Sequence, residues 1–255
     1  MKRRQFLKCL AAGAAIASVP SSLWAFDRQH RITIGRFSPH PNQAQPRSGS
    51  LRRLLQEVDR RTSIEVNTDI TTVHPTRDEL FESPMLAWSG DRRFDPMDDD
   101  ALSALRTYLL AGGFLFVDAA DGLSDGPFLE AVRRDLGRAF PDRDIQSIPQ
   151  DHTVHESFYL IERPKGRVDR SEQMEGIADA DRLAVIISSN DVLGALARDT
   201  LGNWEHDVRP GGDRQREMAF RLGINLVMYA LTVNYKADQV HIPFILERRQ
   251  WQVGD

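Results

Sequence analysis

The chain has 255 residues, of which 41% are hydrophobic and 27% charged, and its formal net charge is −4. This composition is typical of a globular protein, long enough for one large α/β domain or two small ones. Because a nucleic-acid-binding protein needs a basic stripe, the acidic balance predicts no nucleic-acid partner.

The first 25 residues have the build of a secretory signal peptide, with a basic start, an apolar stretch and small residues before Ala25. Arg3 and Arg4, followed by Phe6 and Leu7, closely match the twin-arginine export motif. We therefore expect recognition by the twin-arginine translocase, cleavage after Ala25 and a periplasmic location. The apolar stretch is short for a membrane span, which needs ~20 apolar residues. An uncleaved N-terminal anchor is the alternative.

Cleavage would remove four basic residues and no acidic one, which takes the net charge from −4 to −8. It would also remove Cys9, the only cysteine of the chain. The mature chain would then have no disulfide, no thiolate nucleophile and no cysteine ligand for a metal. Residues 26–255 are predicted to form a single α/β domain with no stable membrane span.

From residue 31 onward, strand and helix patterns alternate along the chain. Period-two or unbroken apolar runs predict strands, and apolar residues three and four apart predict helices. The predicted strands are 31–37, 63–67, 84–90, 114–118 and 182–189, with short ones at 145–149 and 158–161. The predicted helices are 50–62, 75–83, 95–113, 126–140 and 214–235. Residues 162–181 are predicted to be a loop, and the tail from 236 shows little periodicity.

Several residues are predicted to mark the ends of these helices. Ser50 is a candidate N-cap, Gly112 a candidate C-terminal cap in a left-handed conformation, and Pro127 suits a first helical turn.

Strands that alternate with helices predict a parallel central sheet with helices on both sides. Ligands of such sheets lie outside the carboxyl ends of the strands, where this sequence places polar residues. They are Ser38, His40, Ser89, Gly90, Asp91, Asp118, Asp121, Asn190 and Asp191.

Four stretches together resemble the bacterial family termed domain of unknown function 4159. They are LLAGGFLFVDAADG at 109–122, DHTVHESFYLI at 151–161, SSNDVLGAL at 188–196 and RLGINLVMYALTVNYKADQVHIP at 221–243. The resemblance runs from about Ile32 to Arg249. It implies a class I glutamine amidotransferase-like fold, which is a three-layer flavodoxin-like α/β sandwich with a mostly parallel sheet, and it implies no particular reaction.

The chain departs from the amidotransferase pattern at the position of the nucleophile. Enzymes of that type place a Cys on a tight turn between strand and helix and activate it with a His. Here Asp118 or Ala119 occupies the matching turn, and the predicted mature chain has no Cys. Its composition therefore excludes glutamine hydrolysis through a thiol.

Asp118 and Asp121 could form a polar site with the segment DHTVH, which contributes His152 and His155. If His155 reached Asp118, the two could act as a general base pair, or could bind a divalent metal together with His152. The simpler alternative is that the carboxylates bond to amides of their own turns and the imidazoles pack locally. The residues assign no metal and no cofactor.

Hydroxyl, amide and carboxylate groups at Ser89, Gly90, Asn190 and Asp191 suit a sugar or another small polar ligand, although turn formation and helix capping would use the same groups. Trp204 lies on a long loop, where it would cover a pocket as a lid or pack on the surface of the sheet.

Two functions follow from these patterns. The first is a non-catalytic module that binds a polar small molecule or a partner protein in the periplasm. The alternative is a periplasmic hydrolase that uses Asp118 and His155, with or without a metal. The distance between these two side chains separates the two functions, because a general base pair must be in hydrogen-bond contact.

Overall fold

The computed structural model describes residues 31–41 and 46–250, with side chains as far as residue 232. The predicted signal peptide, including Arg3, Arg4, Phe6 and Leu7, lies outside the described residues. So does Cys9.

Strands of the described chain form one seven-stranded sheet in the order β2-β1-β3-β4-β7-β6-β5. The strands are β1 (Ile34–Phe37), β2 (Thr72–Val73), β3 (Met85–Gly90), β4 (Phe114–Ala119), β5 (Gln146–Ser147), β6 (Glu175–Asp179) and β7 (Arg182–Ser188). The first five in spatial order run parallel, and β6 and β5 are antiparallel additions at one side. The protein is therefore a mixed α/β fold with a mostly parallel sheet, as predicted.

Helices pack on both faces of this sheet. They are α1 (Ser50–Arg61), α2 (Arg77–Leu80), α3 (Asp99–Leu110), α4 (Pro127–Ala139), α5 (Val192–Leu196) and α6 (Gly212–Gln250). One apolar core joins the sheet to α1, α5 and α6, and a second core joins its other face to α2, α3 and α4. Within the described residues, no helix is long and apolar enough to span a membrane.

Most predicted elements and helix ends are confirmed. Every residue of β4 is buried, which explains its unbroken apolar run. The side chain of Asp98 caps α3 by accepting the amide of Ala101 at 2.7 Å. Gly112 has the predicted positive φ, at 109°, and Pro127 occupies the first turn of α4.

Two predictions near α1 were wrong. Ser50 is the first helical residue rather than the N-cap, which is Gly49 and makes no side-chain bond. Residues 63–67 are not a strand, because Val66 alone forms an isolated bridge, with Ile32 just before β1. The edge strand is instead β2, a few residues later.

The segment 158–161 is not a strand, because a buried Asn side chain binds its backbone. Asn225 of α6 accepts the amide of Tyr159 at 2.8 Å and donates to the carbonyl of Tyr159 at 2.8 Å. A one-turn 3₁₀ helix, Thr153–His155, precedes this segment. Asn225 therefore takes over the backbone bonds that a strand would make with its neighbour.

Two further segments are more regular than predicted. The strand β6 lies inside the expected loop 162–181, and α6 continues to Gln250 through the tail that showed little periodicity.

Parallel pairing brings the ends of β1, β3, β4 and β7 to one edge of the sheet. We call this the carboxyl edge, and it is where the predicted site residues Asp118 and Asp191 lie.

Candidate functional site at the carboxyl edge

Asp118 is a fully buried carboxylate near the end of β4, beside Ser89 of β3 and Ser188 of β7. Its Oδ1 accepts the amide of Val192 at 2.9 Å, and its Oδ2 accepts the amide of Leu193 at 2.7 Å. These amides begin α5, and the first amides of a helix have no acceptor within the helix. Asp118 therefore anchors α5 to the sheet with both of its oxygens.

The environment of Asp118 opposes its ionisation. Burial and then the nearby carboxylate of Asp191 raise the pKa of Asp118 to about 7, against the lowering effects of the Leu193 and Val192 amides and of Arg47. At neutral pH this carboxyl group consequently holds a proton for part of the time.

Asp191 is the N-cap of α5 and is also fully buried. Its backbone is left-handed, with φ of 50°, and its Oδ1 accepts the amide of Gly194 at 3.0 Å. Arg47 approaches the carboxylate with Nε at 3.0 Å from Oδ1 and with Nη2 at 2.7 Å from Oδ2. Arg167 donates from its Nε to the same Oδ2. Two guanidinium groups thus neutralise one buried carboxylate.

Arg47 binds three segments at once. Besides Asp191, it donates to the carbonyl of Ala120 at 3.0 Å and contacts Nε2 of His206 through its Nη1. Burial and then Arg47 lower the pKa of His206, which agrees with a neutral imidazole that accepts from the guanidinium. We call Arg47, Arg167, Asp118, Asp191 and His206 the Arg47 cluster.

Asn190 holds the loop that carries Arg167. Its Oδ1 accepts the amides of Arg170 at 2.8 Å and Ser171 at 2.9 Å, and its Nδ2 donates to the carbonyls of Pro164 at 3.0 Å and Ser171 at 2.8 Å. All the polar atoms of this buried side chain are used, so Asn190 has a structural role here.

Gly90 is required by packing. A Cβ atom at this position would come within 2.2 Å of the ring of Phe128. Ser89 is buried, and no described group bonds to its Oγ.

Asp121 lies in the turn after β4. Its Oδ1 accepts the amide of Leu123 at 3.1 Å, as expected for an Asp in a turn, and burial raises its pKa.

Trp204 packs between two arginines. The guanidinium carbon of Arg198 lies 3.8 Å from the centre of the indole, and that of Arg216 lies 4.0 Å from it. Phe220 of α6 is a further ring neighbour, at 6.0 Å between centroids. The indole is fixed against the body of the protein and also lines a cleft.

That cleft has a volume of about 470 Å³ and lies beside the Arg47 cluster. We call it the Trp204 cleft. Its lining residues are Arg167, Val168, Trp204, Glu205, His206, Asp207 and Arg209.

His152 and His155 lie away from the Arg47 cluster. His152 is beside the ring of Tyr229, whose hydroxyl accepts the amide of Leu183 at the beginning of β7, whereas Asp118 is beside the last residue of β7. At ~3.3 Å per residue these two points on β7 are about 17 Å apart. His155 is buried, and its Nδ1 has no partner among the described residues. The structure does not bring Asp118 and His155 together.

The acidic and imidazole groups do not form a metal centre either. Across residues 31–41 and 46–232, no three His, Cys, Asp or Glu side chains are placed so that they could hold a metal ion.

The model of the family described as domain of unknown function, DUF4159, matches residues 36–231. The chain belongs to this family. The match runs from the middle of β1 to the middle of α6 and includes every residue of the Arg47 cluster. The comparison with curated proteins found no match.

Sequence reasoning identified Asp118 and Asp191 as polar residues of the carboxyl edge but missed their arginine partners. Arg47 lies within a loop rich in Pro, and Arg167 lies in a segment predicted to be a loop. Neither arginine has a periodic pattern around it. The one available signal was general: two buried carboxylates need a nearby cation, because an unpaired charge is unfavourable when buried.

The substitution Asp118→Asn tests the raised pKa of Asp118. A carboxyl whose pKa is raised on folding contributes stability that is fully present below pH ~4 and is lost as the pH rises through about 7. Since Asn does not titrate, the free energy of unfolding of the natural protein should fall by about 2 kcal/mol relative to the variant between roughly pH 5 and pH 8. Urea unfolding at each pH measures this difference.

Asp100→Asn is the matched control, because Asp100 is exposed on α3. Its pH profile should follow that of the natural protein. Parallel profiles for Asp118→Asn and the natural protein would show that the Asp118 carboxyl titrates as in the unfolded chain.

Proposed function

We propose that this protein is an exported, non-catalytic binding module of the periplasm, built on a three-layer flavodoxin-like fold of the class I glutamine amidotransferase type. The strand order β2-β1-β3-β4-β7 supports this fold, because it corresponds to the flavodoxin-like order 2-1-3-4-5. The two apolar cores on opposite faces of the sheet support a three-layer arrangement.

One observation carries the non-catalytic assignment. Asp118, which the family resemblance matched to the turn that carries the amidotransferase nucleophile, lies in β4 instead. Both of its oxygens accept backbone amides of α5, and the side chain is fully buried. Each oxygen is already an acceptor for a backbone amide, and a side chain with no exposed surface cannot be reached by a substrate. Asp191 is likewise occupied, by Arg47, Arg167 and the amide of Gly194.

The alternative of an Asp/His hydrolase lacks the contact that it needs. A general base must lie within hydrogen-bond reach of its partner, and the oxygens of Asp118 bond to the amides of Val192 and Leu193 rather than to His155. No described cluster of ligands offers a metal-assisted route in its place.

The Trp204 cleft is the proposed ligand site. It presents an aromatic face from Trp204, hydrogen-bond donors from Arg167 and carboxylates from Glu205 and Asp207. A mixture of one aromatic wall and polar groups of both signs suits a small polar molecule better than an apolar one. Its position outside the carboxyl ends of the strands agrees with the usual ligand site of open parallel sheets.

The mature protein is screened against a panel of monosaccharides, disaccharides and amino acids. A compound that binds should raise its unfolding temperature. A ligand that binds only the folded state stabilises it by RT ln(1 + [L]/Kd), which makes the shift concentration-dependent. Glu205→Trp, which fills the cleft, should reduce the shift, whereas Glu156→Trp, an equal change at an exposed position near His155, should leave it unchanged.

Mass spectrometry of the recovered compound then distinguishes binding from catalysis. The recovered compound should be chemically unchanged after incubation with the protein. Conversion to a product would contradict the non-catalytic assignment, and a shift that is equal in both Trp variants would contradict the Trp204 cleft as the site.

Export is expected to depend on the paired arginines. Arg3→Lys with Arg4→Lys keeps the charge but removes the planar guanidinium groups, so the mature protein should disappear from the periplasmic fraction. Lys2→Arg with Lys8→Arg is the control and should be exported normally. Full export of the double-Lys variant, or full-length natural protein in the membrane fraction, would contradict cleavage after twin-arginine export.

A further inference from the structure

A second cleft, of about 430 Å³, lies between the beginning of α1 and the turn at 198–202. We call it the Arg52 cleft, and none of its lining residues lines the Trp204 cleft. Its lining residues are Gly49, Arg52, Arg53, Gln56, Arg198, Asp199, Thr200 and Gly202.

Three arginines from two segments line this cleft. Arg52 is exposed, and no described side chain or carbonyl pairs with it. Arg53 forms an ion pair with Glu57 at 2.5 Å, but its Nε is buried without a partner. Arg198 donates to the carbonyl of Gly202 and stacks on Trp204. Arg52 therefore offers an exposed guanidinium group with no described hydrogen bond, beside two arginines that are only partly engaged.

The carboxylates near these arginines are occupied elsewhere. Asp199 lines the cleft, but its oxygens accept the amides of Leu201 at 2.9 Å and Asn203 at 2.8 Å and the side-chain amide of Asn203 at 3.2 Å. Glu57 is shared among Arg53, Arg60 and Arg61. The lining holds three arginines against the one carboxylate of Asp199, so this part of the surface has excess positive charge although the whole chain has a net charge of −4.

Repulsion among the arginines supports this account. Burial first, and then Arg198 among the neighbouring cations, lower the pKa of Arg53, while Glu57 raises it. Burial and then Arg52 lower the pKa of Arg36, which donates to the carbonyl of Ser48 beside α1. A bound anion would relieve both repulsions.

We propose that the Arg52 cleft binds a phosphate group, either free or as a phosphomonoester. Guanidinium groups match phosphate oxygens with paired donors, and three of them around one cleft can contact several oxygens of a single tetrahedral anion. The beginning of α1 adds the partial positive charge of a helix N-terminus to these arginines. This site is separate from the Trp204 cleft and does not depend on the function proposed for it.

Calorimetric titration of the mature protein with inorganic phosphate and with glycerol 3-phosphate tests the proposal. Both should bind, more tightly than acetate at the same ionic strength, because acetate offers two oxygens rather than four. Arg52→Gln should weaken phosphate binding about tenfold, since it removes one charge-assisted contact. Because Arg52 makes no described hydrogen bond or ion pair, this variant should fold and unfold as the natural protein does.

Arg77→Gln is the matched control, as Arg77 is an exposed arginine of α2 on the other face of the sheet. It should bind phosphate with unchanged affinity. Binding of glycerol 3-phosphate but not of inorganic phosphate would support the proposal and identify the bound phosphate group as that of a phosphomonoester. An absence of binding by both, or equal binding by the natural protein and Arg52→Gln, would overturn it.

Discussion

The buried ion pair between Arg47 and Asp191 is the interaction on which the carboxyl edge depends. Asp191 is fully buried beside Asp118, which is also fully buried, and two carboxylates in such a place are very unfavourable without a cation. Arg47 supplies that cation and also bonds to the turn after β4 and to the loop that carries His206. Removing one partner of a buried pair costs about 3–5 kcal/mol, because the other charge stays buried and unpaired.

This constraint gives both buried acidic residues at the end of the sheet a structural use. Asp118 anchors α5, Asp191 caps it, and Arg47 and Arg167 neutralise the pair. Arg167 and His206 of this cluster also line the Trp204 cleft, whereas Asp118 does not. The end of β4 and the beginning of α5 are thus joined by side chains that support the fold.

The sequence predicted the parts of the fold that local patterns determine. The apolar run of β4, the apolar stripe of α1 and the Pro at the beginning of α4 follow from periodicity and backbone chemistry, and all three are in the structure. The predictions that failed did so because of residues far away in the sequence. The segment 158–161 has a strand-like composition, but Asn225, more than sixty residues later, takes its backbone bonds. Likewise, the partners of Asp191 lie 144 and 24 residues before it, in loops without any period.

A double-mutant cycle between Arg47 and Asp191 tests this account most directly. Arg47→Gln, Asp191→Asn and the double variant are compared by urea unfolding, and Asn at 191 keeps both the helix cap and the tolerance of a left-handed backbone. The account predicts a coupling free energy of about 2 kcal/mol or more, with the double variant less destabilised than the sum of the single variants. A coupling near zero would contradict it, because Arg47 and Asp191 would then stabilise the carboxyl edge independently.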